Sequence, residues 1–444
     1  MAFTFSRPLA ATLAAGLSIS ILHAQNGDDA LLRKAHAIHA RVIALDTHND
    51  IEPANFTAAR NYTQRLDTQV NLPKMVEGGL DASFFIVYVG QPDETRTPDA
   101  LTPAGYARAY QEASDKFDAV HRLTEQIAPD KIGLALTSAD VRRINATGKK
   151  VALIGIENGY PIGEDLRRVQ EFYDRGGRYL SLAHNGNNQL SDSNTGERQG
   201  YKWGNGISPF GKQVLAEMNR VGLMVDVSHP SKGSMMQAAA LSKAPIIASH
   251  SAVRALCDVS RNMDDEQLRA LAKTGGVVQI VGFSSYIKTP KPDSPERSAR
   301  LDALRKQFGL PDPAPAPQGA GPAGLRAAIA RLGDAERSDY ARRLDEIDRT
   351  TPGDPPATVK DFVDHIDYAV KLIGVDHVGI SSDFDGGGGI AGWRDASETF
   401  NVTLELVRRG YSEGDIAKIW SGNLLRVMDR VQAVAKDLRK AKAG

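Results

Sequence analysis

The chain has 444 residues, with 54 basic and 54 acidic side chains, so its formal net charge at pH 7 is zero. Hydrophobic residues make up 41% of the sequence and charged residues 24%, which is ordinary for a globular protein with a large core. The balanced charge argues against nucleic acid as a partner, because a nucleic-acid-binding protein carries a basic patch. The sequence contains one cysteine, Cys257, so no disulfide can form within the chain.

Residues 1–24 are predicted to be a signal peptide. Arg7 precedes an apolar run at 9–22, and Ala24 suits the end of a cleavage site, although Leu22 stands where a smaller residue is usual. The run is short for a transmembrane helix. The alternative is an apolar anchor that is not cleaved. The sequence therefore predicts an exported protein, periplasmic or secreted, with no stable transmembrane span after cleavage.

Apolar runs with the character of buried strands recur through the rest of the chain, residues 25–444. They lie at 42–46, 82–90, 151–157, 179–184, 223–229, 245–250, 276–283 and 377–383. Helices are predicted before or between them, and several end in glycine, at 28–42, 164–177, 211–222 and 264–276. This alternation is typical of βα units. It predicts an α/β fold, a single closed (β/α)8 barrel rather than an open doubly wound sheet.

One segment breaks the alternation. Residues 288–356, between the seventh and eighth strands, are rich in proline, alanine and charge, with 311–322 at their centre and a predicted helix at 323–349. The segment leaves the seventh strand at its carboxyl end, which is the active-site face of a barrel. We expect this insertion to cover part of the pocket or to form an interface beside it. The alternative is a solvated excursion with no functional effect. From residue 397 onward the tail is predicted to be helical.

Side chains that bind metals or transfer protons cluster where the predicted strands end. His48 and Asp50 follow the first strand, and Glu157 ends the third. The remaining members, each at the end of a later strand, are His184, His229, His250 and Asp383. The carboxyl ends of parallel barrel strands share one face, so these residues should converge. Imidazole and carboxylate without thiolate suit zinc, cobalt or manganese.

Each candidate ligand has a simpler interpretation when it is taken alone. The His-x-Asp motif at 48–50 could be a surface or capping motif, and Glu157 could form a salt bridge with an arginine. His229 and His250 could each be a core histidine. Together they favour a metal centre. The five candidate ligands exceed what one catalytic ion with an open position needs, and they suit two ions bridged by a carboxylate.

Six motifs together resemble those of the membrane (renal-type) dipeptidase family of zinc peptidases. They are D-T-H-N-D-I at 46–51, G-I-E-N-G at 155–159, V-S-H-P-S at 227–231, A-S-H-S at 248–251, S-R-N-M-D-D at 260–265 and S-D-F-D-G at 382–386. The resemblance runs from about Val42 to the C-terminal helices and excludes the insertion. It implies a (β/α)8 barrel of the amidohydrolase type that holds two zinc ions, for which the ligand types also admit cobalt or manganese as substitutes.

The resemblance also implies a role for each site residue. His48 and Asp50 would hold one ion, His229 and His250 the other, and Glu157 would bridge both. His184 matches a substrate-binding histidine, Arg261 an arginine that binds the substrate carboxylate, and Asp383 the catalytic acid/base. The implied reaction is hydrolysis of small dipeptides by a hydroxide that bridges the ions. Tolerance of a D-residue at the carboxyl side and opening of β-lactams are further implications.

The chain departs from the family pattern in three ways. Mammalian members have disulfides and a glycolipid anchor signal, and this sequence has neither. They also lack the insertion at 288–356. Phe283 stands where some members have a tyrosine near the substrate. These differences concern substrate preference rather than the metal centre.

Two other functions fit the same residues. Another amidohydrolase-type enzyme, such as an N-acyl-amino-acid hydrolase, a lactonase or a β-lactam hydrolase, would use the same metal centre. Arg261 favours a substrate with a carboxylate, which a simple lactone lacks. A catalytically inactive binding protein on the same barrel is the third reading, and the complete ligand set with Asp383 argues against it. The predicted partner is a small peptide. The sequence does not decide whether the chain forms a homodimer.

Overall fold

The computed structural model describes residues 29–92, 97–311, 325, 328–329 and 331–443. The predicted signal peptide and most of the proline-rich centre of the insertion lie outside these residues. The described chain contains nine parallel strands in one sheet. They are β1 (Leu45–Asp50), β2 (Ala82–Tyr88), β3 (Ile132–Leu134), β4 (Lys150–Glu157), β5 (Gly177–Ser181), β6 (Met224–Asp226), β7 (Ile247–Ser251), β8 (Val277–Val281) and β9 (Val378–Ser381).

Eight of the strands form a nearly closed barrel. Their order is β1-β2-β4-β5-β6-β7-β8-β9, and β3 pairs only with β4, outside this path. A parallel bridge between Asn49 and Phe384 brings β1 back to the end of β9, where Asp50 N donates to Phe384 O at 2.9 Å. The predicted (β/α)8 class is therefore confirmed, and the eight predicted strands are those of the barrel. The short β3 was missed because three residues carry no readable apolar run.

Two junctions of the barrel have little backbone pairing. Among the described residues, β6 and β7 share a single register pair, Asp226 with Ile247, and β9 meets β1 only at the bridge described above. A buried carboxylate spans each junction. Asp226 Oδ1 accepts from Ser249 N at 2.7 Å, and Asp46 Oδ1 accepts from Ser382 N at 2.8 Å. These side chains supply hydrogen bonds that the ladder does not.

Helices cover the outside of the barrel, and further helices belong to its loops and to the insertion. They are α1 (29–39), α2 (Leu72–Gly78), α3 (Pro103–Arg122), α4 (Ser138–Asn145), α5 (Arg167–Asp174), α6 (Gly196–Gln199), α7 (Pro209–Val221), α8 (Lys232–Leu241), α9 (Asp265–Lys273), α10 (Ser284–Ile287), α11 (Pro295–Gln307), α12 (Asp334–Thr350), α13 (Val359–Ile373), α14 (Phe400–Arg408), α15 (Glu413–Ala417) and α16 (Asn423–Ala443). Side-chain caps begin several of them; Asp264, for example, forms a capping box with Gln267 at the start of α9. Among the residues that the structure describes, no helix has the length and apolar character needed to cross a membrane.

The core of the barrel consists of two apolar clusters, one on each face of the sheet. Alternate residues of β2 belong to different clusters. Phe84 and Ile86 point into an apolar cluster shared with Leu45 and with Met428 of α16. The alternate residues of β2, such as Phe85, join the larger cluster beneath the surrounding helices. Successive residues of a strand face opposite sides, so both faces of this strand are apolar and buried.

The insertion is a helical hairpin with an apolar cluster of its own. α11 and α12 pack around Leu304, Tyr340 and Ile347, apart from the two barrel clusters. The single helix predicted at 323–349 is wrong in one respect, because residues 331–333 are not helical. Gly333 takes the N-cap position of α12, and a glycine there ends helical continuity at little cost. The role of the insertion stays a prediction.

Candidate metal centre

The barrel brings together, at the carboxyl ends of its strands, the seven candidate site residues that were identified at predicted strand ends. His48 and Asp50 belong to β1, Glu157 is the last residue of β4, and His250 lies in β7. β5 and β6 end a few residues earlier than predicted, so His184, His229 and also Asp383 lie in loops directly after their strands. Apart from the half-buried His184 and Asp50, these side chains are buried. Residues up to 335 positions apart in sequence, His48 and Asp383, therefore share one site.

His229, His250 and Glu157 form the tightest contact in this site. His229 Nε2 and His250 Nε2 lie 3.0 Å apart. The same two nitrogens lie 2.9 Å and 3.2 Å from Glu157 Oε1. Imidazole nitrogens and a carboxylate oxygen that approach one another so closely form the kind of donor set that zinc prefers.

The other half of the site is built around His48. His48 Nε2 lies 3.4 Å from Glu157 Oε2 and 3.9 Å from Asp383 Oδ1. His48 Nε2 and Asp50 Oδ1 are buried, yet neither has a hydrogen-bond partner of suitable geometry among the described residues. A buried polar atom without a partner is costly unless an ion or water satisfies it. The residues present therefore fit a metal-binding site.

In the part of the chain that the structure describes, three groupings of side chains have ligand atoms within 4.8 Å of one another. They are His48 with Glu157 and His250, His48 with Asp50 and Asp383, and Glu157 with His184 and His229. Glu157 belongs to two of these groupings. Its Oε2 faces His48, whereas its Oε1 faces His229 and His250. The carboxylate therefore connects the two halves of the candidate centre.

The buried charges perturb one another strongly in the metal-free protein. Burial alone would lower the pKa of His48, but the carboxylates of Glu157, Asp383 and Asp50 outweigh it and raise this pKa to about 9. Burial raises the pKa of Asp383 to about 8, with Asp50 and Glu157 adding to the shift against the opposing charge of His48. Perturbed pairs of this kind are typical of functional sites.

The remaining imidazoles are neutral near pH 7. Burial lowers the pKa of His184 to about 4, and it holds the pKa values of His229 and His250 well below the usual range, with the charge of Arg261 adding to the effect. Burial works against ionisation of Glu157, but the charge of His48, with a hydrogen bond from His229, holds its pKa well below the usual range. Neutral imidazoles and an ionised carboxylate are the forms that bind a metal.

The His184 ring lies between Glu157 of the candidate metal centre and the side chain of Tyr88. His184 Nε2 lies 3.8 Å from Glu157 Oε1, and His184 Nδ1 lies 3.3 Å from Tyr88 Oη at the end of β2. The ammonium of Lys116 lies 5.5 Å from the centroid of the Tyr88 ring. The structure therefore places His184 beside the candidate centre, with one ring nitrogen directed to each side.

Hydrogen bonds hold the guanidinium of Arg261 beside the carboxyl ends of β6 and β7. Its Nη2 donates to His250 O at 2.9 Å, and its Nη1 donates to Ser251 Oγ at 3.1 Å and to Ser228 O. Its Nε is buried and has no hydrogen-bond partner among the described residues. The guanidinium also lies 5.4 Å from the centroid of the Tyr286 ring. Arg261 thus supports the ends of β6 and β7, while its Nε–H has no acceptor among the described residues.

The loop after β9 is strained at the site itself. Asp383 and Asp385 adopt positive φ values of 58° and 61°, which are uncommon for residues other than glycine. A Cβ atom on Gly386 would lie 2.2 Å from Asp50 Oδ2 and 2.4 Å from Asp383 Oδ1, so only glycine fits there. Asp385 accepts from Gln69 N at 2.8 Å and thereby shapes the loop. The strained turn holds Asp383 against the candidate centre.

Several residues that support the site were missed in the sequence. Asp46 and Asp226 are buried carboxylates within apolar strand runs, the same signal that identified Glu157. Tyr286 stacks on Phe283 with ring centroids 4.2 Å apart, so a phenol lies near Arg261 although position 283 itself is a phenylalanine. Tyr179 and Ser249 carried no local signal, because strand residues of these types are common.

A model of the membrane dipeptidase family, peptidase family M19, matches residues 32–442 of this chain. The chain belongs to this family. Dipeptidase tcpJ from Claviceps purpurea is 30% identical over 375 residues, which cover 84% of this chain and 72% of that protein. Dipeptidase aclJ from Aspergillus oryzae is 29% identical over 409 residues, covering 90% of this chain and 80% of the relative.

Two solved structures are similar to this chain. The crystal structure of the probable dipeptidase PvdM from Pseudomonas aeruginosa superimposes with a TM-score of 0.72 at 34% identity, covering 92% of this chain and 100% of that chain. A metallo peptidase from Rhodobacter sphaeroides shares the fold, with a TM-score of 0.63 at 22% identity over 88% of this chain and 99% of that chain. The predicted metallo-dipeptidase activity class is confirmed.

Proposed function

We propose that this M19 enzyme is a dinuclear zinc dipeptidase that hydrolyses small free dipeptides. The observation that carries the proposal is the position of Glu157, whose two oxygens face different histidines: Oε1 lies 2.9 Å from His229 Nε2, and Oε2 lies 3.4 Å from His48 Nε2. One carboxylate between two sets of imidazoles is the arrangement that two adjacent ions need. Small peptides are therefore the proposed partners.

The five proposed ligands divide into two sets. His48 and Asp50 would hold one ion, His229 and His250 would hold the other, and Glu157 would contact both. When bound, two zinc ions would lower the pKa of water and polarise the scissile carbonyl. The unpartnered atoms His48 Nε2 and Asp50 Oδ1 support the first set, and the close nitrogens of His229 and His250 support the second.

Asp383 is the proposed proton carrier. Burial raises its pKa to about 8 in the metal-free protein, so Asp383 Oδ1 can both accept and return a proton near neutral pH. Its position beside His48, with Oδ1 3.9 Å from Nε2, directs it toward the reacting groups. We infer that Asp383 Oδ1 takes a proton from the attacking water and delivers it to the leaving amine.

His184 and Arg261 would bind the substrate. The neutral His184 lies 3.8 Å from Glu157 and can donate to a carbonyl oxygen as negative charge develops there. Arg261 has two nitrogens engaged with protein groups, while its buried Nε has no partner in the described part of the chain. A buried N–H without an acceptor is costly, so a substrate carboxylate would be bound favourably there. Tolerance of a D-residue at the carboxyl side belongs to the same proposal.

We further propose that the enzyme is exported. The support is the apolar run at 9–22, with Arg7 before it and Ala24 after it. This leader would direct the protein to a periplasm or to the exterior, where small peptides would be its substrates.

The proposed function can be tested by metal analysis combined with a substrate panel. The purified protein should contain about two zinc ions per chain, lose activity with a chelator and regain it with zinc. The panel contains free dipeptides, dipeptides with a D-residue at the carboxyl side, N-acyl amino acids and a lactone. Free dipeptides should be hydrolysed fastest. Faster turnover of N-acyl amino acids or the lactone would identify another amidohydrolase, and no turnover of any substrate would favour a binding protein.

A further inference from the structure

Two hydroxyl groups contact the outer ring nitrogens of metal-facing histidines. Tyr179 Oη lies 2.9 Å from His48 Nδ1, and Ser249 Oγ lies 2.8 Å from His250 Nδ1. In both rings the other nitrogen, Nε2, lies near Glu157. The two hydroxyls therefore hold the histidines from the side that faces away from the candidate metal centre.

The direction of the hydrogen bond at Tyr179 follows from its second partner. Tyr179 Oη also lies 3.0 Å from Thr47 O. A carbonyl oxygen can only accept, and a phenol has a single hydrogen to donate. Tyr179 therefore donates to Thr47 O, and His48 Nδ1–H donates to Tyr179 Oη.

The same reasoning applies to Ser249 through a buried carboxylate. Ser249 Oγ donates to Asp226 Oδ2 at 2.9 Å. The other oxygen, Asp226 Oδ1, accepts from Ser249 N at 2.7 Å, from Ser228 N at 3.2 Å and from Ser228 Oγ at 2.9 Å. The Asp226 carboxylate is therefore the acceptor in all four of these hydrogen bonds. The single hydrogen of Ser249 is used, so His250 Nδ1–H donates to Ser249 Oγ.

We propose that Ser249, oriented by Asp226, is a positioning residue that holds His250 with its hydrogen on Nδ1, and that Tyr179 acts in the same way on His48. Nε2 of His250 then presents its lone pair to the metal centre before an ion binds, and Nε2 of His48 is the nitrogen that gives up its proton when an ion binds. His229 differs, because its buried Nδ1 has no hydrogen-bond partner among the described residues. The proposal rests on the metal centre of the proposed function and adds the residues that prepare it.

The chain offers a matched pair of variants. Ser249→Ala and Ser228→Ala each remove one buried hydroxyl that donates to Asp226, but only Ser249 contacts a ring nitrogen of His250. Zinc affinity would be measured by competition with a chromophoric chelator. The protonation of each ring nitrogen would be read from 15N NMR spectra of the metal-free protein with labelled histidine. His250 is suited to this measurement, because burial holds its pKa well below the usual range and the ring is neutral.

We expect His250 of the metal-free wild type to carry its hydrogen on Nδ1. Loss of an outer partner of this kind typically weakens metal binding roughly 10- to 100-fold, so Ser249→Ala and Tyr179→Phe should each do so, whereas Ser228→Ala should cost less than about threefold. Ser249→Thr, which keeps a hydroxyl, should retain most of the affinity. In Ser249→Ala the metal-free spectrum should show both tautomers of His250.

Two results would overturn the proposal. One is a wild-type spectrum with the hydrogen of His250 on Nε2. The other is an equal loss of zinc affinity in Ser249→Ala and Ser228→Ala, which would mean that both hydroxyls only support Asp226. If Ser249→Ala does not fold, the wild-type spectrum and the zinc affinity of Tyr179→Phe test the proposal instead. A wild type that binds zinc with His250 in the expected form but hydrolyses no dipeptide would contradict the proposed function and leave this inference standing.

Discussion

Charged side chains are frequent at the barrel rim, which is the face formed by the carboxyl ends of the strands, and also in the insertion. The two regions differ in whether these side chains are buried or exposed to water. At the rim, Glu157 and His48 are buried and lie 3.4 Å apart, within a cluster of further ionisable groups. In the insertion, ion pairs such as Arg342 with Asp339 lie on exposed helix surfaces. Water screens exposed pairs, whereas removing one partner from a buried set leaves an uncompensated charge. Substitutions at the rim should therefore have much larger effects than changes in the insertion.

The largest effect is expected for Glu157→Gln, which removes the carboxylate between the two halves. Zinc content should fall from about two ions per chain to less than one, and turnover should be lost with it, because a neutral amide is a poor zinc ligand. Elemental analysis after dialysis measures the change. His229→Ala is the comparison variant and should weaken mainly one ion. A Glu157→Gln enzyme that keeps both ions would show that the two halves bind independently.

Asp383→Asn should keep zinc and lose turnover. Removal of a positioned acid/base typically lowers the rate roughly 10²- to 10⁴-fold. The amide has nearly the size of the carboxylate, so the strained turn at this position should persist. Steady-state kinetics with parallel zinc analysis tests this. A kcat near that of the wild type would move the proton-transfer role to another group.

Zinc affinity should rise with pH through the neutral range. Neighbouring carboxylates raise the pKa of His48 to about 9 in the metal-free protein, so a proton must leave before Nε2 can bind an ion. Burial also raises the pKa of Asp50, the other proposed ligand of this ion, to about 7. Affinity should therefore rise about tenfold for each unit of pH from 7 to 9, rise more steeply below pH 7, and level off above pH 9. Calorimetry in buffers of different protonation enthalpy counts the released protons. Affinity that is flat between pH 6 and 8 would mean that His48 is already neutral.

Arg261→Ala should raise KM for free dipeptides more than for dipeptides with an amidated carboxyl end. A lost charge-assisted hydrogen bond should raise KM roughly 10-fold or more. Arg261 also bonds to Ser251 and to the carbonyl of His250, so thermal unfolding must be measured alongside. Arg261→Lys provides a charged control without the forked geometry. An equal rise in KM for both substrate types would mean that Arg261 only supports the strand ends.

The smallest effect is expected from removing the insertion. Lys288 Nζ lies 3.1 Å from Asp354 Oδ2 and 2.9 Å from Pro355 O, so a short glycine-serine loop can replace residues 290–355. The insertion has a separate apolar cluster, so zinc content should not change. Discrimination between dipeptides and tripeptides should weaken if the insertion limits substrate length. Unchanged KM values for both, with the same oligomeric state, would show that the insertion has no role in binding.

The sequence by itself determined the barrel and the positions of its candidate ligands. Strands buried on both faces read as continuous apolar runs, and a histidine or carboxylate at the end of such a run is visible locally. Glu157 and His250 could be selected in this way without knowledge of any contact. Their convergence then follows from the topology alone, because a parallel barrel carries all carboxyl strand ends on one face.

Only the tertiary structure decided how these residues are held. Asp46 binds Ser382, 336 positions away, and Asp226 binds Ser249 across a junction with a single register pair. Such bonds depend on strand register and side-chain direction, which no local pattern encodes. From the sequence, Arg261 is predicted to bind the substrate carboxylate. The fold shows in addition that two of its nitrogens donate hydrogen bonds to residues at the end of β7. The chemistry of the site was therefore readable from residue types, but the hydrogen bonds that orient each imidazole required the assembled barrel.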